Sequence, residues 1–253
     1  MLSELLTDPP RSFIFREPGI ARGRYELHPD DIDALRPFGG RPGEFKLRWS
    51  RWLRRRVARN APSRFVRAFR DELIAPLADH IEQLGVKEIA HEGWQRYADA
   101  FPDMRVIVLG RDPRDIYLSM LDRRRKGVGQ LKGETLTPRR AAELLLPEFE
   151  HQLEMAERLP TLNITYERLC TDPSAFDDIR THVDSPQDRP GDAGRFNEAN
   201  PQRRDEAAIH HGTLTNKRTD RWRRVDDEQT RDACEQLFEH MRAYAEYWGY
   251  PRD

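Results

Sequence analysis

Directly behind the apolar run Val106–Gly110, the chain places Arg111, Asp112, Pro113, Arg114 and Asp115 in succession. Asp112 stands where a helix N-cap belongs, Pro113 suits the first helical position, and Asp115 completes an acidic first turn. Those roles account for the aspartates and the proline and leave Arg111 over. A guanidinium at the carboxyl end of a buried strand, beside a helix N-terminus, faces the crevice where α/β sheets bind ligands. Its planar fork suits phosphate or sulfate. Ser119 follows two turns on, on the side of the helix that carries Asp115, with a hydroxyl for the same anion. The chemistry these residues allow is anion recognition; the competing reading is a charged surface turn between a strand and a helix.

The basic set is skewed, 38 arginines to 5 lysines, and 44 acidic residues bring the net charge to −1. Most of those arginines read as solvated surface charge. With 37% hydrophobic and 34% charged residues, the chain can bury one sizeable core under an ionic surface, so residues 1–253 are expected to form a single domain. Cys170 and Cys234 make no disulfide framework and no metal-ligand spacing, and the adjacent His210 and His211 are poorly directed at one ion. No stretch approaches 18 consecutive apolar residues, and "MLSELLTDPP" lacks the basic region and long apolar core of a signal peptide. The expectation is a cytoplasmic protein without a membrane partner.

The elements that must position Arg111 follow from periodicity. "SFIF" (12–15) reads as a short buried strand and residues 20–43 as an irregular loop. A helix carries Phe45, Trp49, Trp52, Leu53 and Val57 on one face. A second, longer one carries Phe65, Val66, Phe69, Leu73, Leu77, Ile81 and Leu84 and ends at Gly85. This pair, about 44–84, forms a helical insertion. Arg51, Arg54, Arg55, Arg56 and Arg59 line the outer face of its first helix; they read as a solvated face rather than a nucleic-acid patch, so no nucleic-acid partner is expected. From Val86 the rhythm is strand and helix: strand 86–90, helix 93–100, a fully buried strand 104–110, helices 113–125 and 138–158, and strand 161–166. A polar loop covers about 184–205. One last helix, 226–248, turns Cys234, Leu237, Met241, Tyr244 and Trp248 inward. The alternation predicts an α/β fold, three-layered, with a central mostly parallel sheet.

Five stretches taken together resemble sulfotransferases that use 3′-phosphoadenosine 5′-phosphosulfate (PAPS). The strand followed by "RDPRD" and by Ser119 looks like that family's 3′-phosphate-binding segment. "LLTDPPRSFIFREP" looks like the segment after its phosphosulfate loop, and "GVKEIAHEGW" like the strand with a lysine near the sulfuryl group. "NITYERLCTDP" is similar to its Tyr-Glu-x-Leu segment, and "NKRTDRWRR" to the late basic loop before a tryptophan. They run in order over nearly the whole chain. The amino-terminal strand and Ser-Gly-Thr type loop that wrap the 5′-phosphosulfate are not found; Gly39-Gly40 follows no strand. The expectation is a sulfotransferase or P-loop-NTPase-like domain whose first strand and loop precede Met1 or have been lost.

The resemblance implies sulfuryl transfer from PAPS to a hydroxyl or amine, with no metal. Arg111 and Ser119 would hold the 3′-phosphate, Tyr166 would lie near the adenine, and Lys217 or Arg218 would close from the late loop. Arg221 and Trp222 are alternative anchors of that loop. Glu17 would be the general base, with His91 and Glu88 as competitors, and Lys87 would stabilise the bridging oxygen. The implied partner is an acceptor substrate, a glycan or a small molecule. The alternative is a catalytically degenerate protein of the same fold that holds a nucleotide or glycan. A nucleic-acid module built on residues 51–70 and a P-loop kinase are weaker rivals; the kinase would need a G-x-x-x-x-G-K-[ST] motif that is absent.

Overall fold

The computed structural model describes residues 3, 6–24, 27, 29–38, 60–127, 135–186 and 219–252. The first helix of the expected insertion, with its arginine face, lies outside the described residues. So do Gly39-Gly40, His210-His211, most of the polar loop, Lys217 and Arg218.

The fold is α/β. Its strands form two two-stranded sheets, β1 (Ser12–Arg16) with β2 (Gln83–Lys87) and β3 (Val106–Gly110) with β4 (Thr161–Thr165), both parallel. Each parallel pair is joined through helices, as parallel neighbours require. Where the alternation predicts a single central sheet, the described residues form these two separate pairs. The chain separates into two compact units, one of Met1–Val106, Glu157–Pro160 and Asp177–Gly191, the other of Ile107–Ala156, Thr161–Phe176 and Asp192–Asp253.

In the first unit, α1 (Pro29–Leu35) follows β1, and α2 (Pro62–Phe69) runs through a π turn, Arg70–Ile74, into α3 (Ala75–Ala78). The predicted stripe Phe65, Val66, Phe69, Leu73, Leu77 and Ile81 is buried against Phe13 and Phe15. Phe15 meets Phe13 and Phe69 edge-on, at centroid distances of 5.0 and 5.7 Å, the geometry aromatic quadrupoles favour. The stripe ends earlier than expected. Leu84 and Gly85 belong to β2, and Gly85 stands opposite Ile14, where a Cβ would meet that side chain at 2.7 Å. The glycine makes room for a strand neighbour and does not cap a helix, and β2 therefore begins three residues before the expected strand. Residues 29–35, expected as loop, are helical: Pro29 opens α1 and Asp30 and Asp31 fill its first turn. Buried Asp31 then accepts the Arg16 N–H at 2.9 Å and its Nε–H at 2.7 Å. α4 (Trp94–Ala100) completes this unit's packing.

In the second unit, α5 (Pro113–Arg125) and α6 (Pro138–Arg158) have the predicted bounds. Tyr166 opens α7 (Tyr166–Thr171) instead of ending β4, because Thr165 caps the helix by accepting the Arg168 N–H at 3.1 Å. α8 (Ser174–His182) begins here and from Asp177 onward belongs to the first unit; a 3₁₀ turn, Arg221–Arg224, leads into α9 (Glu228–His240) and α10 (Arg242–Trp248). The single terminal helix expected is thus broken at Met241. Cys234, Leu237, Met241 and Tyr244 are buried as expected, with Tyr117, Leu118 and Phe149, while Trp248 is half-buried. β3 is not fully buried: Leu109 keeps 37% of its surface. At Gly110 a Cβ would overlap the Trp248 ring. Gly110→Ala should therefore destabilise the protein by about 1–3 kcal/mol, as overpacking does, measured by urea unfolding; an unchanged midpoint would mean that the ring moves aside freely.

Candidate functional site

The candidate catalytic residues fall in the first unit, at the carboxyl ends of β1 and β2. Arg16 is in register with Lys87, and the Glu17 N–H donates to the Lys87 carbonyl at 2.7 Å. Glu17 then turns into the left-handed region at φ 51°, a conformation that costs a non-glycine residue about 1–2 kcal/mol. That turn brings its carboxylate into an ion pair with the Lys87 ammonium. Both side chains are well exposed, 46% for Glu17 and 39% for Lys87, so the pair can meet a solute.

Glu88, the next residue, has a different setting. One of its carboxylate oxygens accepts the Gly19 N–H at 2.9 Å and the Tyr97 hydroxyl at 3.0 Å; the other lies 3.8 Å from Arg22. Burial raises its pKa, opposed by the Tyr97 and Gly19 hydrogen bonds and by Arg22. Burial and the Glu88 carboxylate together also push the Tyr97 phenol upward. Glu88 is a brace for the turn that carries Glu17, since Gly19 lies two residues beyond it. His91 lies in the turn before α4, half-buried, with its carbonyl accepting the Trp94 N–H at 3.0 Å. Nothing local in the sequence marks Tyr97 or Arg22 as partners of Glu88; the contacts arise from tertiary packing.

The candidate anion-binding residues that are described fall in the second unit. Asp112 caps α5, accepting the Arg114 N–H at 2.8 Å. Arg111 is held at its backbone by Tyr244, whose hydroxyl accepts the Arg111 N–H and donates to the Arg111 carbonyl, both at 3.0 Å. The guanidinium lies over the Tyr166 ring, 4.8 Å from its centroid, and 3.7 Å from the Asp115 carboxylate. Tyr166 therefore already presents one ring face to Arg111. Asp115 is fully buried, and its second oxygen accepts the Trp222 N–H at 3.1 Å. Burial pushes its carboxyl up to about 6, against the pull of Arg111 and the Trp222 hydrogen bond.

Asp115, Ser119 and Asp122 share one face of α5 by their spacing of four and three residues. Arg111 pairs with the first, and Arg221 donates to Asp122 at 2.7 Å. Half-buried Ser119 thus lies on a stripe whose flanking aspartates hold the two arginines. Arg221 and Trp222 both bond to α5, which makes them anchors of the segment that follows the undescribed Lys217 and Arg218. Beyond Ser119 the stripe borders a cleft of about 390 Å³, with Leu118, Leu121 and Val225 among its apolar walls and Arg125, Arg221 and Arg224 among its charged ones. Two features of this half were not anticipated: Asp115 as charge partner of Arg111, and Tyr244 as its backbone clamp. Only the inward placement of Tyr244 was readable from helical spacing.

Among the described residues, no group of three or more His, Cys, Asp or Glu side chains is placed to hold a metal ion, and no helix is long and apolar enough to cross a membrane. No protein-family model, no curated protein and no solved structure matches the chain.

Proposed function

We propose that the protein is a sulfotransferase that moves a sulfuryl group from PAPS to a hydroxyl or amine acceptor. The observation that carries the reading is the stripe Arg111–Asp115–Ser119–Asp122–Arg221, which gathers two guanidiniums and a hydroxyl along one helix at the carboxyl end of β3. Sulfuryl transfer needs what phosphoryl transfer needs: positioning, in-line attack and cations where charge grows. The acceptor oxygen or nitrogen attacks sulfur, the bond from sulfur to the bridging oxygen breaks, and 3′-phosphoadenosine 5′-phosphate departs carrying that electron pair. In this scheme Glu17 accepts the acceptor proton and Lys87 meets the charge on the bridging oxygen. Arg111 and Ser119 hold the 3′-phosphate, with Arg221 as anchor of the late segment. A sulfotransferase or P-loop-NTPase-like fold is part of the proposal. Glycans are the favoured acceptors, given the arginine-rich segment 51–59; transfer restricted to small neutral phenols would exclude them.

Calorimetric titration with 3′-phosphoadenosine 5′-phosphate and with 5′-AMP tests the nucleotide half. The expected result is selective binding of the 3′-phosphorylated ligand, weakened at least about tenfold by Arg111→Ala, as befits a charge-assisted contact. Equal affinity for both nucleotides, or indifference to the substitution, would remove Arg111 from the site.

A further inference from the structure

Asp115 takes no part in the reaction above, yet it shares Arg111 with any ligand that arrives there. Its side chain has no exposed surface, whereas Arg111 keeps 18% of its own open to solvent. One Asp115 oxygen is held by the Trp222 N–H and the other faces the guanidinium at 3.7 Å. The guanidinium therefore has a fixed internal anion on one side and an approach from solvent. The other charges around Asp115 are mostly of its own sign: Asp112 at the N-cap of α5 and Glu167 on α7 oppose its ionisation, and the Cys234 thiol on α9 responds to it. The neighbouring guanidiniums are held by other aspartates, Arg114 by Asp112 and Arg221 by Asp122.

We propose that Asp115 is a positioning residue for Arg111, and that seating an anionic ligand on Arg111 is coupled to uptake of one proton by the Asp115 carboxylate. The step balances simply: a solvent proton neutralises the carboxylate, the guanidinium keeps its charge, and the ligand replaces Asp115 as its counter-ion. Two anions flanking one partly buried cation repel each other strongly where water is scarce. The buried carboxylate is the one that yields, since burial already pushes it up to about 6. The sign follows from linkage: a ligand that binds with proton uptake binds more weakly as pH rises, by up to about tenfold per pH unit for one proton.

This inference rests on the nucleotide reading, and the test separates the two. Wild type and Asp115→Asn are titrated with 3′-phosphoadenosine 5′-phosphate near neutral pH, in buffers of differing ionisation enthalpy, which counts the protons taken up. Ionisation of the ligand itself is common to both proteins and cancels in the difference. Wild type should take up more than Asp115→Asn by about half to one proton, and at the alkaline end the variant should bind about tenfold tighter. Equal proton counts would overturn the coupling while leaving the nucleotide reading intact. Absence of binding by folded wild type would overturn both. Should Asp115→Asn fail to fold, difference infrared spectroscopy of wild type decides: a protonated-carboxyl band gained on ligand addition supports the proposal, and its absence refutes it.

Discussion

Arg114→Met is expected to destabilise the protein by about 3–5 kcal/mol, the cost of breaking a buried ion pair from one side. Arg114 has no exposed side-chain surface. Its Nε and Nη2 fork onto the two oxygens of Asp112 at 3.0 and 2.9 Å, and it donates to the Arg252 and Pro251 carbonyls at 2.8 and 2.7 Å. The guanidinium plane is covered by Trp222 at 3.5 Å and Phe238 at 4.3 Å. Methionine fills much of the volume but leaves the Asp112 carboxylate without its fork and two carbonyls without donors. Arg114→Lys keeps the charge and loses the planar geometry, so it should recover only part of the loss. Thermal unfolding checks both, and for a chain of this size the methionine variant should melt roughly 10 °C lower. A shift under about 2 °C would mean that water or a rearranged terminus takes over the guanidinium's contacts.

Lys87→Ala should lower sulfuryl transfer from radiolabelled PAPS about hundredfold, the usual scale for losing one preorganised group at a developing charge. Glu17→Gln should lower it about tenfold or more, and neither should move nucleotide affinity beyond twofold or so. Stability cannot carry these effects. The two side chains are 39% and 46% exposed, and exposed ion pairs contribute about 0–1 kcal/mol. Because the groups touch, the double variant should cost little more than the worse single one. Full additivity would mean that they act separately, and unaltered turnover would make the pair a structural clasp between the ends of β1 and β2. Glu88 gives a contrast within the same unit: its carboxylate is tied down by Gly19 and Tyr97, so its replacement should act through the turn that presents Glu17.

The sequence by itself determined the local elements. The N-cap and proline of α5, the long apolar periodicity of α6 and the buried face of α2 are interactions between residues a few positions apart, and spacing expresses them directly. It also singled out Arg111 as the charge that helix chemistry leaves over. Where local rules were ambiguous the tertiary structure decided. Gly85 reads as a helix stop, and only the pairing with Ile14 makes it a strand residue. Pro29-Asp30-Asp31 falls in a stretch read as irregular loop, and its helix is tied to β1 by the Arg16–Asp31 pair. Only the tertiary structure chose the partners of charge: Asp115 for Arg111, Asp112 with the terminal carbonyls for Arg114, Glu17 for Lys87. Glu17 and Lys87 lie far apart in the chain; Arg111 and Asp115, and Arg114 and Asp112, are close, and there burial by distant residues sets the strength of the interaction. Helical and strand periodicity encode which face is buried; which charges meet there is settled by tertiary packing within each unit.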